Sequence, residues 1–397
     1  MMVMLSSKSR KLTGSNKKST NEVRVLIVDD SKLIRKSLKE TLDSIPGIKV
    51  VGTASNGVLA LEKIRKLSPD VVTLDFHMPR LNGLETLKRI MKEKPLPVIM
   101  LSSATTRGAK LTLEALRVGA VDFLPKPTGS LVENVEFIKT YLVPKIFSAS
   151  ESNPKKFKEK PKEKIKQNTL PRFRRSTYKS PDQSIFFAIG CSTGGPRALE
   201  EIVKNLPRNF PAPIGVVQHM PEPFLSVYAE HLNNVSRLKV KVASKDSVFR
   251  PGTLLLAPGN AHMRLVRFGK NLLVSLQELG TQGLGHFPSV DLFFCSVAKS
   301  IKSGTVGIIL SGMGKDGTSG FRAIKMVGGL TVAQDKASAI VYGMPGSARS
   351  EGLVDVIGRP YEIAKLMTKM ASGDFPLDQG HRSYRKIRVA SATNSQG

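Results

Sequence analysis

Short apolar runs alternate with amphipathic segments along most of the 397-residue chain. Between residues 23 and 128 the runs VRVLIV, KVVGTA, DVVTLD, LPVIMLSS and AVDFLP are separated by segments with helical spacing of leucine and isoleucine. Buried strands that alternate with helices predict a parallel sheet covered on both faces. Functional residues in such a sheet lie at the carboxyl ends of the strands.

The same alternation begins again near residue 184, with the predicted strands SIFFAIG, PIGVVQHM, TLLLAPG, TVGIILSG and GLTVAQ. The segment RLVRFGKNLLVSLQ, interrupted by Gly269-Lys270, predicts a β-hairpin added to this second sheet. The predicted fold class is therefore α/β, with two doubly wound parallel-sheet domains.

Charge and composition divide the chain further. Sixty-one Lys and Arg residues against 32 Asp and Glu residues give a net charge of +29. Much of this charge lies in Lys- and Pro-rich stretches with few large apolar residues, which is typical of solvated linkers and tails. The predicted segments are a basic N-terminus without ordered structure (1–22), a first domain (23–145), a basic linker (146–182), a second domain (183–372) and a basic tail (373–397).

Several classes of protein do not fit the composition. No apolar run approaches the roughly 18 residues of a membrane span, and the N-terminus lacks the apolar core and cleavage site of a signal peptide. The two cysteines, Cys191 and Cys295, offer neither a disulfide framework nor metal-ligand spacing. We therefore expect a cytoplasmic protein.

Polar side chains follow successive strands of the first domain. Asp29 and Asp30 end the first strand and Asp75 ends the third, while Ser102 and Lys126 follow the next two. Carboxylates that converge at one sheet edge need a compensating cation, and oxygen ligands of this kind suit Mg²⁺. A hydroxyl and an ammonium beside them fit phosphoryl transfer to a carboxylate.

The second domain contains a glycine-rich turn between a strand and a helix. Residues 190–194, GCSTG, satisfy G-x-S-x-G, and Pro196 suits the first turn of the following helix. The turn could present Ser192 as a nucleophile or could bind a phosphate at the helix N-terminus. The chain lacks the G-x-G-x-x-G and P-loop patterns, but the motif alone leaves both interpretations open.

A serine nucleophile needs a base and an acid that orients it. His219 follows the next predicted strand, so it should share the sheet edge with Ser192, whereas His231 fits the surface of a helix. His262 and His286 lie in predicted loops and stay open as alternatives. Asp316 lies in the loop GMGKDG, whose backbone N–H groups could face an oxyanion. Weaker candidates for the acid are Asp291 and Asp335.

Residues 23–128 resemble a response-regulator receiver domain, because VLIVDDS, LDFHMPRLNG, VIMLSS and DFLPKP occur in the order and spacing of that family. The resemblance implies a flavodoxin-like fold and phosphorylation of Asp75 by a histidine kinase, with Mg²⁺ held by Asp29, Asp30 and Asp75. It also implies that Ser102, Phe123 and Lys126 form the switch. His77 departs from the acid that methylesterase receivers more often carry there.

Residues 184 to about 370 resemble the catalytic domain of the chemotaxis protein-glutamate methylesterase family. AIGCSTGGP, VVQHMP, LLLAPGNAHMRL, PSVDLFFCS and ILSGMGKDG carry this resemblance. It implies a Rossmann-like domain in which Ser192 is the nucleophile, His219 the base and Asp316 its orienting partner. The Met313 N–H and Thr193 would stabilise the oxyanion. Cys191 departs from the usual alanine, and we interpret it as a buried residue facing away.

The two resemblances together imply a phosphorylation-activated esterase that demethylates, and also deamidates, glutamate and glutamine side chains of methyl-accepting chemoreceptors. Ester hydrolysis itself would need no cofactor, and we expect a monomer. A receiver-controlled nucleic-acid regulator is the alternative, but residues 182–370 show no helix-turn-helix, zinc-finger or RNP pattern. We expect no specific nucleic-acid partner. Weak electrostatic contact of the basic segments with the inner membrane surface stays open.

Overall fold

The computed structural model describes residues 22–103, 105–126, 131–152, 185–278 and 288–373. Its first five strands form a parallel sheet in the order β2-β1-β3-β4-β5, which is the flavodoxin-like arrangement. The strands are β1 (Val23–Val28), β2 (Ile48–Ala54), β3 (Val71–Asp75), β4 (Val98–Ser102) and β5 (Asp122–Pro125).

Helices cover both faces of this sheet. Ser31 caps the first helix, because its side chain accepts a hydrogen bond from the Ile34 N–H. Asn56, Asn82 and Thr105 cap the next three helices in the same way. The helices are α1 (Lys32–Asp43), α2 (Gly57–Leu67), α3 (Gly83–Glu93), α4 (Thr106–Val118), α5 (Leu131–Phe137) and α6 (Val143–Ser150), with a π-helical turn at Ile138–Leu142 between the last two.

The second sheet has seven strands, all parallel, in the order β14-β13-β12-β6-β7-β9-β8. The predicted fold class, two doubly wound parallel sheets, is therefore confirmed. The strands are β6 (Phe186–Cys191), β7 (Ile214–Gln218), β8 (Lys239–Val242), β9 (Thr253–Leu256), β12 (Thr305–Ile309), β13 (Leu330–Gln334) and β14 (Val356–Gly358). The helices are α7 (Gly195–Lys204), α8 (Glu222–Val235), α9 (Val290–Ile301), α10 (Thr318–Met326), α11 (Gly343–Ser350) and α12 (Pro360–Ala371).

The predicted hairpin is present as β10 (Ala261–Phe268) and β11 (Asn271–Glu278). Its expected addition to the main sheet is wrong, because the two strands form an antiparallel sheet of their own. The reason lies in its inner face, where Met263, Leu265 and Val274 are buried in the cluster that also contains the apolar side of α9. The hairpin therefore covers a helix of the second domain and leaves the edge of the main sheet unextended.

The two domains contact each other through α4, β5 and α8. Phe123 of β5 packs against Phe224 of α8 with ring centroids 4.6 Å apart. The Arg117 guanidinium of α4 lies within 2.9 Å of both ring nitrogens of His231. Among the described residues no helix is long and apolar enough to cross a membrane.

Candidate functional site

Three neighbouring strands of the second sheet carry the predicted catalytic residues at their carboxyl ends. Strand β6 pairs with β12 on one side and with β7 on the other. Ser192 directly follows β6, His219 directly follows β7, and Asp316 lies in the loop after β12. The parallel topology thus brings residues that are distant in sequence to a single edge of the sheet.

The turn at Ser192 is shaped by its glycines. Gly194 has φ of +76°, a conformation that favours glycine, and it precedes α7. A side chain at Gly190 would overlap Val290 of α9, so the strand can approach that helix only without one. The Ser192 N–H donates to the Ser311 carbonyl at 3.0 Å. Ser192 is 7% exposed and lies at the start of the turn between strand and helix.

His219 and Asp316 are in direct contact. His219 Nε2 lies 2.9 Å from Asp316 Oδ2. Burial raises the pKa of the Asp316 carboxyl, but the hydrogen bond and charge of His219, together with the backbone N–H groups of Val290 and Asp291, lower it overall to about 2. Asp316 is therefore a carboxylate throughout the neutral pH range, and it can hold the imidazole in a fixed orientation.

The N-terminus of α9 positions Asp316. Its carboxylate accepts hydrogen bonds from the Ser289 hydroxyl at 3.2 Å, the Val290 N–H at 2.8 Å and the Asp291 N–H at 2.9 Å. A carboxylate at this end of a helix also interacts favourably with the helix dipole. Asp291, a weaker candidate for the acid, instead accepts a hydrogen bond from the Gly320 N–H at 2.6 Å. Asp335 accepts from the Ser338 N–H at 3.1 Å, in the turn after β13.

The loop after β12 lies against the serine. A Cβ built on Gly312 would be 3.0 Å from Ser192 Cβ, so the backbone of this loop approaches the serine closely. Met313, the predicted oxyanion donor, is the next residue of the loop. Thr193, the second predicted donor, is 2% exposed, and its hydroxyl donates to Asp122 of the first domain.

Gln218 is a site residue that the sequence analysis missed. Its buried side chain accepts a hydrogen bond from the Cys191 thiol at 3.0 Å. Its amide donates to the Ser192 carbonyl at 3.1 Å and to the His219 carbonyl at 3.2 Å. The available signal was a polar residue, Gln218, at the carboxyl end of the apolar run PIGVVQ. A buried amide needs hydrogen-bond partners, so such a residue indicates a polar site nearby.

The first domain gathers its predicted phosphorylation residues at one edge. Asp29, Asp30 and Asp75 each offer an oxygen within 4.8 Å of the others. The Lys126 ammonium lies 2.9 Å from Asp29 and 2.8 Å from Asp75. Burial raises the pKa of the Asp75 carboxyl, the Asp29 charge adds to this rise, and Lys126 opposes it.

This carboxylate cluster fits a magnesium ion. Asp29 and Asp75 are 0% and 1% exposed, and one ammonium offsets only part of their charge. Asp75 Oδ1 is buried and accepts no hydrogen bond within the part of the chain that the structure describes. Hard oxygen ligands with negative charge to neutralise are what Mg²⁺ prefers.

Family models match both domains. Residues 187–367 match the model described as CheB methylesterase, and residues 25–136 match the response regulator receiver domain. A protein-glutamate methylesterase/protein-glutamine glutaminase of Thermotoga maritima is 42% identical over 350 residues, which are 88% of this chain and 98% of that protein. One of Oceanobacillus iheyensis is 40% identical over 351 residues, with 88% and 99% covered.

The chain belongs to the CheB methylesterase family. The resemblance that the sequence motifs suggested is thus confirmed, and the chain is an enzyme of this family with a receiver domain ahead of its catalytic domain. Among solved structures, the catalytic domain of the Thermotoga maritima CheB methylesterase shares 40% sequence identity at a TM-score of 0.45, covering 47% of this chain and 98% of that one.

The other histidines of this CheB-family chain occupy different positions. His231 was expected on the surface, which is wrong: it is half-buried between the domains, 2.9 Å from Glu200 and next to Arg117. His262 was expected in a loop but lies in β10, where its Nδ1 accepts the Ser289 N–H at 3.0 Å. His286 lies outside the described residues.

Cys191 is buried in this CheB-family catalytic domain. Burial raises the pKa of its thiol, so the reactive thiolate is not formed at neutral pH. This agrees with its interpretation as a buried neighbour of the serine.

In the receiver, the Ser102 carbonyl accepts the Lys126 N–H at 2.7 Å, and the Ser102 side chain is buried. Phe123 points into the domain contact, 4.6 Å from Phe224. His77 is exposed.

Proposed function

We propose that the chain hydrolyses glutamate γ-methyl esters, and deamidates glutamines, on the cytoplasmic domains of methyl-accepting chemoreceptors. The observation that carries this proposal is the convergence of Ser192, His219 and Asp316 on three adjacent strand ends. These residues occur in the order Ser, His, Asp along the chain, which differs from the Ser, Asp, His order of the α/β-hydrolases.

The first chemical step uses the serine and the histidine. Ser192 Oγ attacks the ester carbonyl while its proton passes to His219. Because His219 Nε2 faces Asp316, the accepting atom is Nδ1. The C–O bond to the methoxy group then breaks, and His219 returns the proton so that methanol leaves.

The second step reverses these roles. His219 takes a proton from water, the hydroxide attacks the acyl-enzyme, and the proton returns to Ser192 as the glutamate carboxylate leaves. A glutamine side chain follows the same path with ammonia as the leaving group. The Met313 N–H and the Thr193 hydroxyl would face the oxyanion. The proposed hydrolysis uses no cofactor.

Phosphorylation of Asp75 by a histidine kinase would control access to this site. Asp29, Asp30 and Asp75 would hold Mg²⁺, which when bound neutralises charge on the entering phosphoryl group. Lys126 and Ser102 would then contact the phosphoryl group, and Phe123 would leave its place against Phe224. In the structure, Asp122 engages the Thr193 hydroxyl, so the proposed oxyanion donor is occupied while the domains are together.

The location and the remaining partners follow from the same function. Substrate and kinase place the enzyme in the cytoplasm, where we expect it as a monomer. Weak attraction of the basic segments to acidic receptors or to the inner membrane surface is part of the proposal. The segment boundaries given above stay predictions, and most of residues 146–182 and 373–397 lie outside the described residues.

The decisive experiment measures methanol release from a methylated receptor cytoplasmic domain. We expect release from the wild type to rise with Mg²⁺ and a small phosphodonor, and to vanish in Ser192→Ala. Asp75→Asn should keep the basal rate and lose the rise. Release that persists in Ser192→Ala, or a normal rise in Asp75→Asn, would contradict the proposal.

A further inference from the structure

The outer face of the β10–β11 hairpin exposes apolar side chains together with basic ones. Val266 is 46% exposed and Phe268 is 75% exposed, and both point to the same side of β10 because alternate residues share a face. Leu273 lies opposite Val266 in the antiparallel register. Val266, Phe268 and the half-buried Leu273 thus form an apolar strip in the tip half of this face, while His262 and Arg264 occupy its base.

The hairpin begins at the catalytic edge. His262, the second residue of β10, accepts the Ser289 N–H at 3.0 Å. Ser289 in turn donates its hydroxyl to Asp316 at 3.2 Å. The base of the hairpin is thus separated from the proposed catalytic acid by a single residue.

From that base the hairpin extends along α9 to a distant tip. Leu265 of β10 accepts a hydrogen bond from Ser300, and Arg267 donates to the Ser300 carbonyl, near the end of the helix remote from Asp316. Eight residues at about 3.4 Å each make this face about 24 Å long from first to last Cα. That length matches about 16 residues of an α-helix.

The charge of the hairpin favours an acidic partner. Arg264 lies on the outer face and Lys270 in the turn, whereas Glu278, the only acidic residue of the hairpin, alternates onto the inner face. A helix that presents several glutamates for esterification carries negative charge wherever they are unesterified. The apolar strip would bind the apolar positions of such a helix, and the basic side chains would attract its carboxylates.

We infer that the outer face of the β10–β11 hairpin is the docking surface for the helical segment of the substrate receptor that carries the ester. This inference rests on the proposed function and adds to it where the substrate lies. The apolar strip gives binding energy far from the reacting bond, while the base of the hairpin delivers the ester to the triad. Such remote contacts act on the macromolecule and are absent for a small ester.

The test compares the hydrolysis of two substrates by the full chain, which is activated with Mg²⁺ and a small phosphodonor. One is the methylated receptor cytoplasmic domain, and the other is N-acetylglutamate γ-methyl ester amide, which is too small to reach the tip. For Val266→Ser/Phe268→Ser we expect kcat/KM on the receptor to fall about tenfold, mainly through KM, with the small ester unaffected. Lys270→Glu should weaken receptor hydrolysis most at low salt.

Met326→Ser is the matched control, because Met326 is 82% exposed on α10 of the same domain. It should leave both substrates unchanged, and Phe268→Tyr should retain most of the receptor activity. A parallel loss on both substrates with a lowered melting temperature would overturn the docking role. So would unchanged receptor hydrolysis in the double variant. If the wild type hydrolyses neither substrate, the proposed function itself fails.

Discussion

The Gln218 side chain joins the backbones of Ser192 and His219, the proposed nucleophile and base. Its amide donates to the carbonyls of Ser192 and His219, while its oxygen accepts from the Cys191 thiol. The thiol fixes which end of the amide faces the two carbonyls, because only the oxygen can accept its hydrogen. Gln218 is therefore a positioning residue for the serine and the histidine.

We expect Gln218→Leu to lower kcat on a small ester by up to about thirtyfold with little change in KM, since two hydrogen bonds of about 1 kcal/mol each are lost and 1.4 kcal/mol corresponds to about tenfold. Steady-state kinetics on the full chain would measure this. Cys191→Ala is the control, since it removes only the contact to the amide oxygen. A loss confined to thermal stability would show that Gln218 only supports the fold.

The Cys191 thiol beside Ser192, the proposed nucleophile, allows a direct test of which atom attacks the ester. We expect Cys191→Ser to keep esterase activity, because burial already keeps the thiol protonated. Ser192→Ala should abolish it. Methanol release by both variants distinguishes the two atoms, and the opposite pattern would make Cys191 the nucleophile.

The pH dependence of stability follows from Asp316. The pKa of Asp316 in the fold, about 2, lies below the ordinary value of 3.8. The ionised Asp316 carboxylate therefore stabilises the folded protein at pH values above 3.8. This contribution is lost as the pH falls through about 2. We expect the free energy of unfolding of the wild type to fall more steeply between about pH 5 and 2 than that of Asp316→Asn. Urea unfolding across that range would measure it, and equal slopes would contradict the assignment.

Among the secondary-structure elements, those with strong patterns could be predicted from sequence. The long apolar strands were predicted correctly because burial leaves a run of apolar residues in the sequence. Strands β8 and β14 were missed: they are short edge strands, and KVKV carries two lysines on its exposed face. The rule that functional residues lie at the carboxyl ends of parallel strands pointed to Ser192, His219 and Asp316. The polar Gln218 at the end of an apolar run was a signal of a site residue, but its partners, the Cys191 thiol and two backbone carbonyls, could not be inferred because only the turn brings them near.

Helix α9 both supports the hairpin and holds Asp316, the proposed orienting partner of His219. We expect Ser289→Ala to cost about 1 kcal/mol of stability through the lost cap and also to lower kcat, since a hydrogen bond to Asp316 disappears. Ser300→Ala, near the other end of this helix, should leave hydrolysis of the small ester unchanged. Chemical denaturation and small-ester kinetics of the two variants would separate capping from catalysis; equal kcat values would contradict the positioning of Asp316 by Ser289.

In the whole molecule, one short strand of the receiver reaches both functional sites. Strand β5 begins with Asp122, which engages Thr193 and Lys145, and continues with Phe123 against Phe224. Lys126, just past its end, pairs with Asp75. A shift of this strand would therefore act on the phosphorylation site and on the catalytic domain together.

We expect Asp122→Ala to raise hydrolysis without a phosphodonor several-fold, because it frees the Thr193 hydroxyl and removes a contact between the domains. The further increase on phosphorylation should shrink accordingly. Rates with and without the phosphodonor would measure both, and Lys145→Ala is the control that leaves the Asp122–Thr193 contact in place. An unchanged basal rate would show that this contact does not hold the closed form.

The Asp122–Thr193 contact also determines what the turnover rate of this enzyme measures. In the proposed mechanism the Thr193 hydroxyl cannot donate to Asp122 and to an oxyanion at the same moment, so the contact and full competence exclude each other. The turnover of an unphosphorylated sample is then proportional to the fraction of molecules in which Thr193 does not donate to Asp122. Where phosphorylation releases every molecule, the ratio of the basal to the fully phosphorylated turnover is the fraction f of released molecules. The equilibrium constant of release is then f/(1 − f), and it changes tenfold for about 1.4 kcal/mol. Steady-state rates would thereby measure the equilibrium between the form with the Asp122–Thr193 contact and the form without it, without a structural probe.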